Sequence, residues 1–174
     1  MTQSHLLRKP TIDDLDALLK HANNPAISLY TSNKFPYPYL KEHALSFIVF
    51  ANTSATSDIM AIDINGEFVG ACGIHFKEDI LCKNAELGYW LAEPFWGKGI
   101  ITQVIKQRVE YAFEHYNLHR IYASVFHPNE GSKKALLKCG FKLEATFKES
   151  IYKNNQYYND CIFSTLNPNV PRET

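Results

Sequence analysis

Two glycines bracket a lysine in the run Trp96-Gly97-Lys98-Gly99-Ile100-Ile101-Thr102, directly after Pro94-Phe95. A strand-like stretch precedes the run and a strongly periodic helix follows it. Glycine carries no Cβ, so backbone at such a turn can approach a ligand closely. The first amides of a helix have no acceptor within the helix, and they point along the positive end of its dipole. Strand, glycine turn and helix start together make a device for holding a phosphate or pyrophosphate. The plainer alternative is a tight turn that only begins a helix. The lysine between the glycines favours the anion.

Other residues that could do chemistry flank this turn. Glu86 lies on the strand before it and Glu93 lies closer to it. Asn129 and Ser132 follow the next strand-like run. Most glutamates are surface carboxylates with no further task. Asn129 alone would be an ordinary turn residue, and Ser132 alone would be a helix cap. His75 and His127 could serve as bases, although a lone histidine is commonly structural. In an open α/β sheet, ligands gather beyond the C-terminal ends of strands. The 97–99 turn and the 129–132 turn are therefore expected to form one composite site for a bulky phosphorylated ligand.

Hydrophobic periodicity outlines the elements that must carry these residues. Leu6 and Leu7 suggest a short strand. Leu15, Leu18, Leu19 and Ala22 recur at helical spacing after a Thr11 cap, and Asn23-Asn24-Pro25 ends that helix. Phe35-Pro36-Tyr37-Pro38-Tyr39 is a proline-aromatic loop, and a second helix is expected from about Leu40 to Phe50. Ile59–Ile64 and Phe68–Ile74 read as strands joined by the hairpin dipeptide Asn65-Gly66. Ala85 to Leu91 alternates, with Glu86, Gly88 and Trp90 on its polar face. The helix after Gly99 presents Ile101, Val104, Ile105, Val109 and Ala112 on one side. Arg120–Phe126 follows a helix, which implies a parallel crossover. A short helix capped by Ser132 is expected to end at Gly140. Phe141–Tyr152 and Tyr157–Leu166 form a hairpin around Asn154-Asn155. One domain over residues 1–166 and a loose tail over 167–174 account for the 174 residues.

Composition narrows the function. Lys plus Arg and Asp plus Glu number 18 each, so the formal net charge is zero and a phosphate-driven nucleic-acid partner is not expected. No apolar run is long enough to span a membrane. Met1-Thr2-Gln3-Ser4-His5 lacks the pattern of a signal peptide, so a cytoplasmic location is expected. The four cysteines show no Cys-x-x-Cys pair, so no metal site is expected and the thiols are read as reduced.

In order and combination, Glu86-Leu87-Gly88-Tyr89-Trp90-Leu91, Trp96-Gly97-Lys98-Gly99, Asn129 to Ser132 and Lys138-Cys139-Gly140-Phe141 resemble the GNAT superfamily of acetyl-CoA-dependent N-acetyltransferases. More narrowly they resemble its RimJ/RimL-type branch, which includes ribosomal-protein N-terminal acetyltransferases. The resemblance runs from the first strand to the last hairpin with Tyr158 and Asp160. The family pattern before the helix is Arg or Gln, two residues, Gly, one residue, then Gly or Ala. Here Trp96 stands first and Ile101 last, with Gly97, Lys98 and Gly99 between.

The resemblance implies an α/β fold: a mixed, mostly antiparallel central sheet with a parallel central pair and about four flanking helices. It implies acetyl-CoA as co-substrate and no metal. The amides from Gly97 through Lys98, Gly99, Ile100 and Ile101 to Thr102 would hold the pyrophosphate. The strand ending at Leu91 would pair with the pantetheine arm, and an amide near Leu91 would face the acyl carbonyl. Asn129 would contact the cofactor chain. Glu86 occupies the place where many relatives carry the general base, and a carboxylate buried there suits a base working near neutrality. Glu93 is the rival. Ser132 matches a position that protonates the leaving thiolate in some relatives, with Tyr122 or Tyr158 as alternatives.

The acceptor implied is a primary amine, with a protein or peptide N-terminus ahead of polyamines and aminoglycosides. The aromatic loop and second helix would line its side of the site. They hold one acidic residue, Glu42, where a polycation would meet several carboxylates. A non-catalytic acyl-CoA sensor would lack the proton acceptor. A nucleotide-binding domain is disfavoured because Gly-x-x-x-x-Gly-Lys-Ser/Thr and Gly-x-Gly-x-x-Gly are both absent. A serine hydrolase would need a Gly-x-Ser-x-Gly elbow, also absent. Monomer and homodimer are both compatible with the chain.

Overall fold

Asparagine and glycine set the hairpins. In the computed structural model, which describes residues 4–171, Asn65 and Gly66 take φ of 55° and 85°, and Asn154 and Asn155 take 51° and 60°. Two consecutive left-handed residues match the twist of flanking antiparallel strands. The elements run β1 (Leu6–Arg8), α1 (Leu15–Ala22), α2 (Pro25–Ser28), α3 (Lys41–Thr53), β2 (Ser57–Ile64), β3 (Glu67–Phe76), β4 (Asn84–Leu91), α4 (Ile100–His115), β5 (Arg120–Phe126), α5 (Glu130–Lys138), β6 (Lys142–Lys153) and β7 (Gln156–Leu166). Short 3-10 turns occupy Ile12–Asp14, Asp79–Leu81 and Glu93–Phe95. The strands pair in the order β1-β2-β3-β4-β5-β7-β6. β4 and β5 run parallel, while β1 with β2, β5 with β7 and β6 with β7 run antiparallel. The expected mixed sheet with a parallel central pair is therefore present.

The chain divides into two compact units. One takes the chain up to Gly73 together with Gly88–Val104, and the other takes Ile74–Leu87 together with the chain from Ile105 onward. In the first unit, Leu18, Ala22, Tyr39, Ala44, Ile48, Ile59 and Phe68 share one apolar core, with Phe35 and Trp90 packed against it. Phe35 meets the Trp90 ring edge-on at 5.3 Å and Tyr39 at 5.0 Å. The proline-aromatic loop thus sends Phe35 and Tyr39 into the core rather than towards an acceptor, and burial pushes the Tyr39 phenol up to about 12. Tyr37 stays exposed.

The first helix begins differently from expectation. A 3-10 turn precedes α1, and Asp14 does more than complement a helix dipole. Its carboxylate accepts from the Thr11 amide at 2.7 Å and from the Arg8 guanidinium at 2.6 Å, while Arg8 Nε donates to Asp63 at 2.7 Å. These bonds tie β1 to β2 and to the turn that starts α1.

In the second unit, Ala85, Ile121, Ala123, Val125, Cys161 and Phe163 are buried, and they alternate with the partly exposed residues of the opposite sheet face. The end of α5 is a complete glycine stop. Gly140, at φ 83°, donates to Leu137 O, and Phe141 donates to Leu136 O. This is the Schellman arrangement, and Leu136 and Phe141 are both buried. Residue 167, expected to open a loose tail, is anchored. The Asn167 side chain donates to Leu118 O at 3.0 Å and its amide to His119 O at 2.8 Å.

Candidate active site

The glycine turn takes the conformation its glycines allow. Gly97 and Gly99 have φ of 72° and 77°, values that L side chains adopt at a cost of about 1–2 kcal/mol. Both are exposed, and a Cβ added at Gly97 would meet nothing within 4 Å, so the backbone here faces open space. The ladder of α4 begins where Gln103 N–H donates to Gly99 O at 3.2 Å, so the turn delivers the preceding amides at a helix N-terminus. Ile100 is buried and anchors the helix start, whereas Ile101 and Thr102 are partly exposed. Lys98 places its Nζ 5.4 Å from the Phe95 ring centre.

Trp96 has a role that its place in the motif did not reveal. Its indole N–H donates to the Leu91 carbonyl at 2.6 Å, joining the end of β4 to the residue that starts the glycine turn. Leu91 itself is buried. Just beyond it, Ala92 N–H donates to Val69 O at 2.7 Å. β3 approaches β4 so closely here that a Cβ on Gly70 would lie 2.4 Å from Trp90 O. Glu93 is exposed and accepts from Asn24 Nδ2 at 2.7 Å. Asn24 caps α2, so the rival carboxylate is tied to a helix start.

In the second unit, Glu86 is not buried. Its side chain is 35% exposed and takes Lys77 Nζ at 2.8 Å and the Tyr122 hydroxyl at 3.3 Å, both on Oε2. The expectation of a buried carboxylate fails because Lys77, just past β3, reaches the same sheet face. No spacing in the sequence points to that contact. Burial pulls the Lys77 ammonium down, but the Glu86 carboxylate and the Tyr122 oxygen outweigh it, so the group sits above its ordinary value. At this exposure the ion pair is worth under about 1 kcal/mol. Glu86 and Tyr122 are directly paired in the β4–β5 register, where Asn84–Glu86 runs parallel to Arg120–Tyr122.

Glu86 and Tyr122 line one side of a groove of about 610 Å³ on the sheet face formed by β4, β5, β7 and β6. Period-two alternation explains the lining. Ser124 stands opposite Ile162, Phe126 opposite Asp160, and on β6 Ala145 and Phe147 stand opposite Ile162 and Asp160. Arg120 binds Glu144, and Ser124 Oγ donates to Asp160 Oδ1 at 2.7 Å. Ser124, Arg120 and Glu144 escaped the sequence reading. A β-bulge between Leu143 and Ala145 carries Glu144, and bulges leave little trace in residue pattern.

Asn129, not Ser132, is the N-cap of α5. Asn129 Oδ1 accepts from Ser132 N–H at 3.1 Å, which puts Ser132 inside the first turn. The helix starts three residues earlier than expected because Asn129 is the better-placed acceptor. Both residues are partly exposed. Tyr158 directs its hydroxyl to Gln156 Oε1 at 2.8 Å, and its ring packs edge-on against Phe126 at 5.5 Å. Among the described residues, no three His, Cys, Asp or Glu side chains could together hold a metal ion, and no helix is long and apolar enough to cross a membrane.

Comparison with known proteins meets these features from outside. Residues 5–142 match the model of the acetyltransferase (GNAT) domain. The uncharacterized N-acetyltransferase YoaA of Bacillus subtilis is 34% identical over 102 residues, covering 59% of this chain, and the chain spans only 57% of that relative's length. Among solved structures, RimL, a ribosomal L7/L12 alpha-N-protein acetyltransferase in complex with coenzyme A, superposes with a TM-score of 0.83 at 21% identity, covering 94% of both chains. Spermidine N-acetyltransferase from Vibrio cholerae, in complex with CoA and spermine, gives 0.79 at 22% identity, covering 94% of this chain and 95% of that one.

Proposed function

Because the chain belongs to the acetyltransferase (GNAT) family, we propose that it moves an acetyl group from acetyl-CoA to a primary amine, foremost the N-terminal amine of a protein or peptide. The observation that carries this reading is the turn at Gly97 and Gly99. Its two left-handed glycines lead into α4 and leave exposed backbone where a pyrophosphate needs amides. The fit is good, since, its chain neighbours apart, nothing stands within 4 Å of the Cβ position at Gly97.

On this reading the segment Gly97–Thr102 holds the pyrophosphate. The part of β4 that ends at Leu91 offers backbone groups to the pantetheine arm. The acyl oxygen needs a donor; the Ala92 amide is taken by Val69 O, and the Leu91 amide is the one offered to it. The amino end of the Asn129 side chain donates to the cofactor chain, its oxygen being engaged in capping α5. When bound, acetyl-CoA supplies an activated thioester carbon.

The amine must attack in its neutral form. Glu86 takes its proton, directly or through water, with Lys77 and Tyr122 fixing the carboxylate. As the nitrogen–carbon bond forms and the carbon–sulfur bond breaks, Ser132 hands its hydroxyl proton to the departing thiolate and recovers one from water. Thiol release from acetyl-CoA, measured against free-N-terminus peptides and against small amines, tests the proposal. Release with peptide amines supports it, and no release with any amine overturns it.

A further inference from the structure

The groove on β4, β5, β7 and β6 holds three carboxylates and two fixed cations, and its charges pair unequally. Lys77 neutralises Glu86 at 2.8 Å, and Arg120 neutralises Glu144. The third carboxylate, Asp160, receives the neutral Ser124 hydroxyl at 2.7 Å. A hydroxyl orients a carboxylate without offsetting its charge, and an ionised carboxylate accepts several further hydrogen bonds. The groove is therefore short of one positive charge, and the shortage is localised on Asp160. Phe147 stands directly across from Asp160, and Ala145 and Ile162 complete an apolar strip on the same face.

We propose that Asp160, held in place by Ser124, binds the ammonium of the acceptor, and that the groove selects amines carrying one positive charge next to an apolar group over polycations. The inference rests on the acetyl-transfer reading above. One ammonium completes the charge balance of the groove. A second would find only carboxylates already matched, with Lys77 and Arg120 repelling it. Asp160 is a binding and selecting residue that captures the amine in its charged form as it enters; the amine then leaves Asp160 and gives its proton to Glu86, which stands opposite Tyr122 further along the same groove.

The test uses the full chain with acetyl-CoA and two probes: a tetrapeptide amide, Ser-Ala-Leu-Phe, whose N-terminus is its one cation, and spermidine. Thiol release is followed for each. We expect kcat/KM for the peptide to exceed that for spermidine at least tenfold. Asp160→Asn should raise the peptide KM tenfold or more and leave the KM for acetyl-CoA unaltered. Asp160→Glu should recover part of the loss, and Ser124→Ala should raise the peptide KM about threefold. A merely structural Asp160 would instead move the KM for acetyl-CoA and Tm along with it. Should Asp160→Asn fail to fold, the wild-type preference and Ser124→Ala decide the matter. Turnover in which spermidine equals or surpasses the peptide, or in which the variants keep the wild-type peptide KM, overturns this inference and leaves acetyl transfer standing. No thiol release with either probe or any other amine, together with no CoA binding by calorimetry, overturns both.

Discussion

The indole N–H of Trp96 lies 2.6 Å from the carbonyl oxygen of Leu91. The four residues between them, including the 3-10 turn Glu93–Phe95, are closed into a loop by that one bond. It fixes the angle at which the chain leaves β4 and enters the glycine turn. Trp96 is 46% exposed, so the ring contributes more by this bond than by burial. Trp96→Phe keeps the ring and removes the donor. A typical net hydrogen bond is worth about 1 kcal/mol, so CoA should bind about fivefold more weakly to Trp96→Phe while Tm falls little. Calorimetry with CoA checks this, and unaltered affinity would show that the bond does not position the turn.

Two glycines near this bond should fail for different reasons when replaced. Gly99→Val puts a β-branched residue at φ 77° and should weaken CoA binding at least tenfold with the rest of the chain folded. Gly70→Ala meets backbone, since its Cβ would lie 2.4 Å from Trp90 O and 3.0 Å from Leu91 Cα. It should lower stability by about 2–3 kcal/mol, in the range of overpacked sites. Chemical denaturation separates the two outcomes: large for Gly70→Ala, modest for Gly99→Val.

The two candidate bases sit in unlike surroundings, which makes a direct contrast. Glu86 lines the groove beside Tyr122, whereas Glu93 is exposed and bonded to the cap residue Asn24. Glu86→Gln should lower turnover on the order of 100-fold or more with CoA affinity kept. Glu93→Gln should stay within about twofold of wild type in rate, as expected of a group that takes no proton in the reaction. Steady-state rates with one competent amine give the answer. The reverse pattern would move the proton acceptor to Glu93.

Acid sensitivity should trace to Asp14. Burial pushes its carboxyl up, but the Arg8 guanidinium and the Thr11 amide pull it further down, so it sits below its ordinary value of 3.8. A carboxyl depressed in the folded state adds stability above its unfolded value and loses it as pH falls through the folded one. Asp14→Asn should therefore cost about 3 kcal/mol at pH 7, in the range for breaking a buried pair. The gap from wild type should close progressively below about pH 4. Urea unfolding at pH 7 and pH 3 measures both ends.

Local chemistry made much of this molecule readable in the sequence. Asn65-Gly66, Asn154-Asn155 and Gly140 announce their turns because few other residues tolerate left-handed backbone. The alternation of β4 set Glu86 apart from the buried Ala85 and Leu87, although Trp90, read on the same polar face, packs against the apolar core of the first unit, and the glycine turn lay where Gly97 and Gly99 put it. What stayed hidden depends on register between distant segments. Lys77 meets Glu86 only because β3 and β4 lie beside one another, and Asp160 meets Ser124 only through the pairing of β5 with β7. Ser132 lost the cap to Asn129 because either residue type can accept from a helix amide, and geometry alone chooses between them.

The division of the chain also bears on how it must be made. The first unit consists of the chain up to Gly73 plus Gly88–Val104, so its hydrogen bond from Ala92 to Val69 and its core contact with Trp90 come from the later piece. During synthesis that unit cannot close until about residue 104 has left the ribosome. At 5–20 residues per second, the 31 residues from Ile74 to Val104 take a few seconds. For that interval Phe68 and the apolar faces of α1 and α3 lack the Trp90 side of their core. A cut between residues 74 and 88 would part Phe68 from the Trp90 ring, 5.8 Å away, that it packs against.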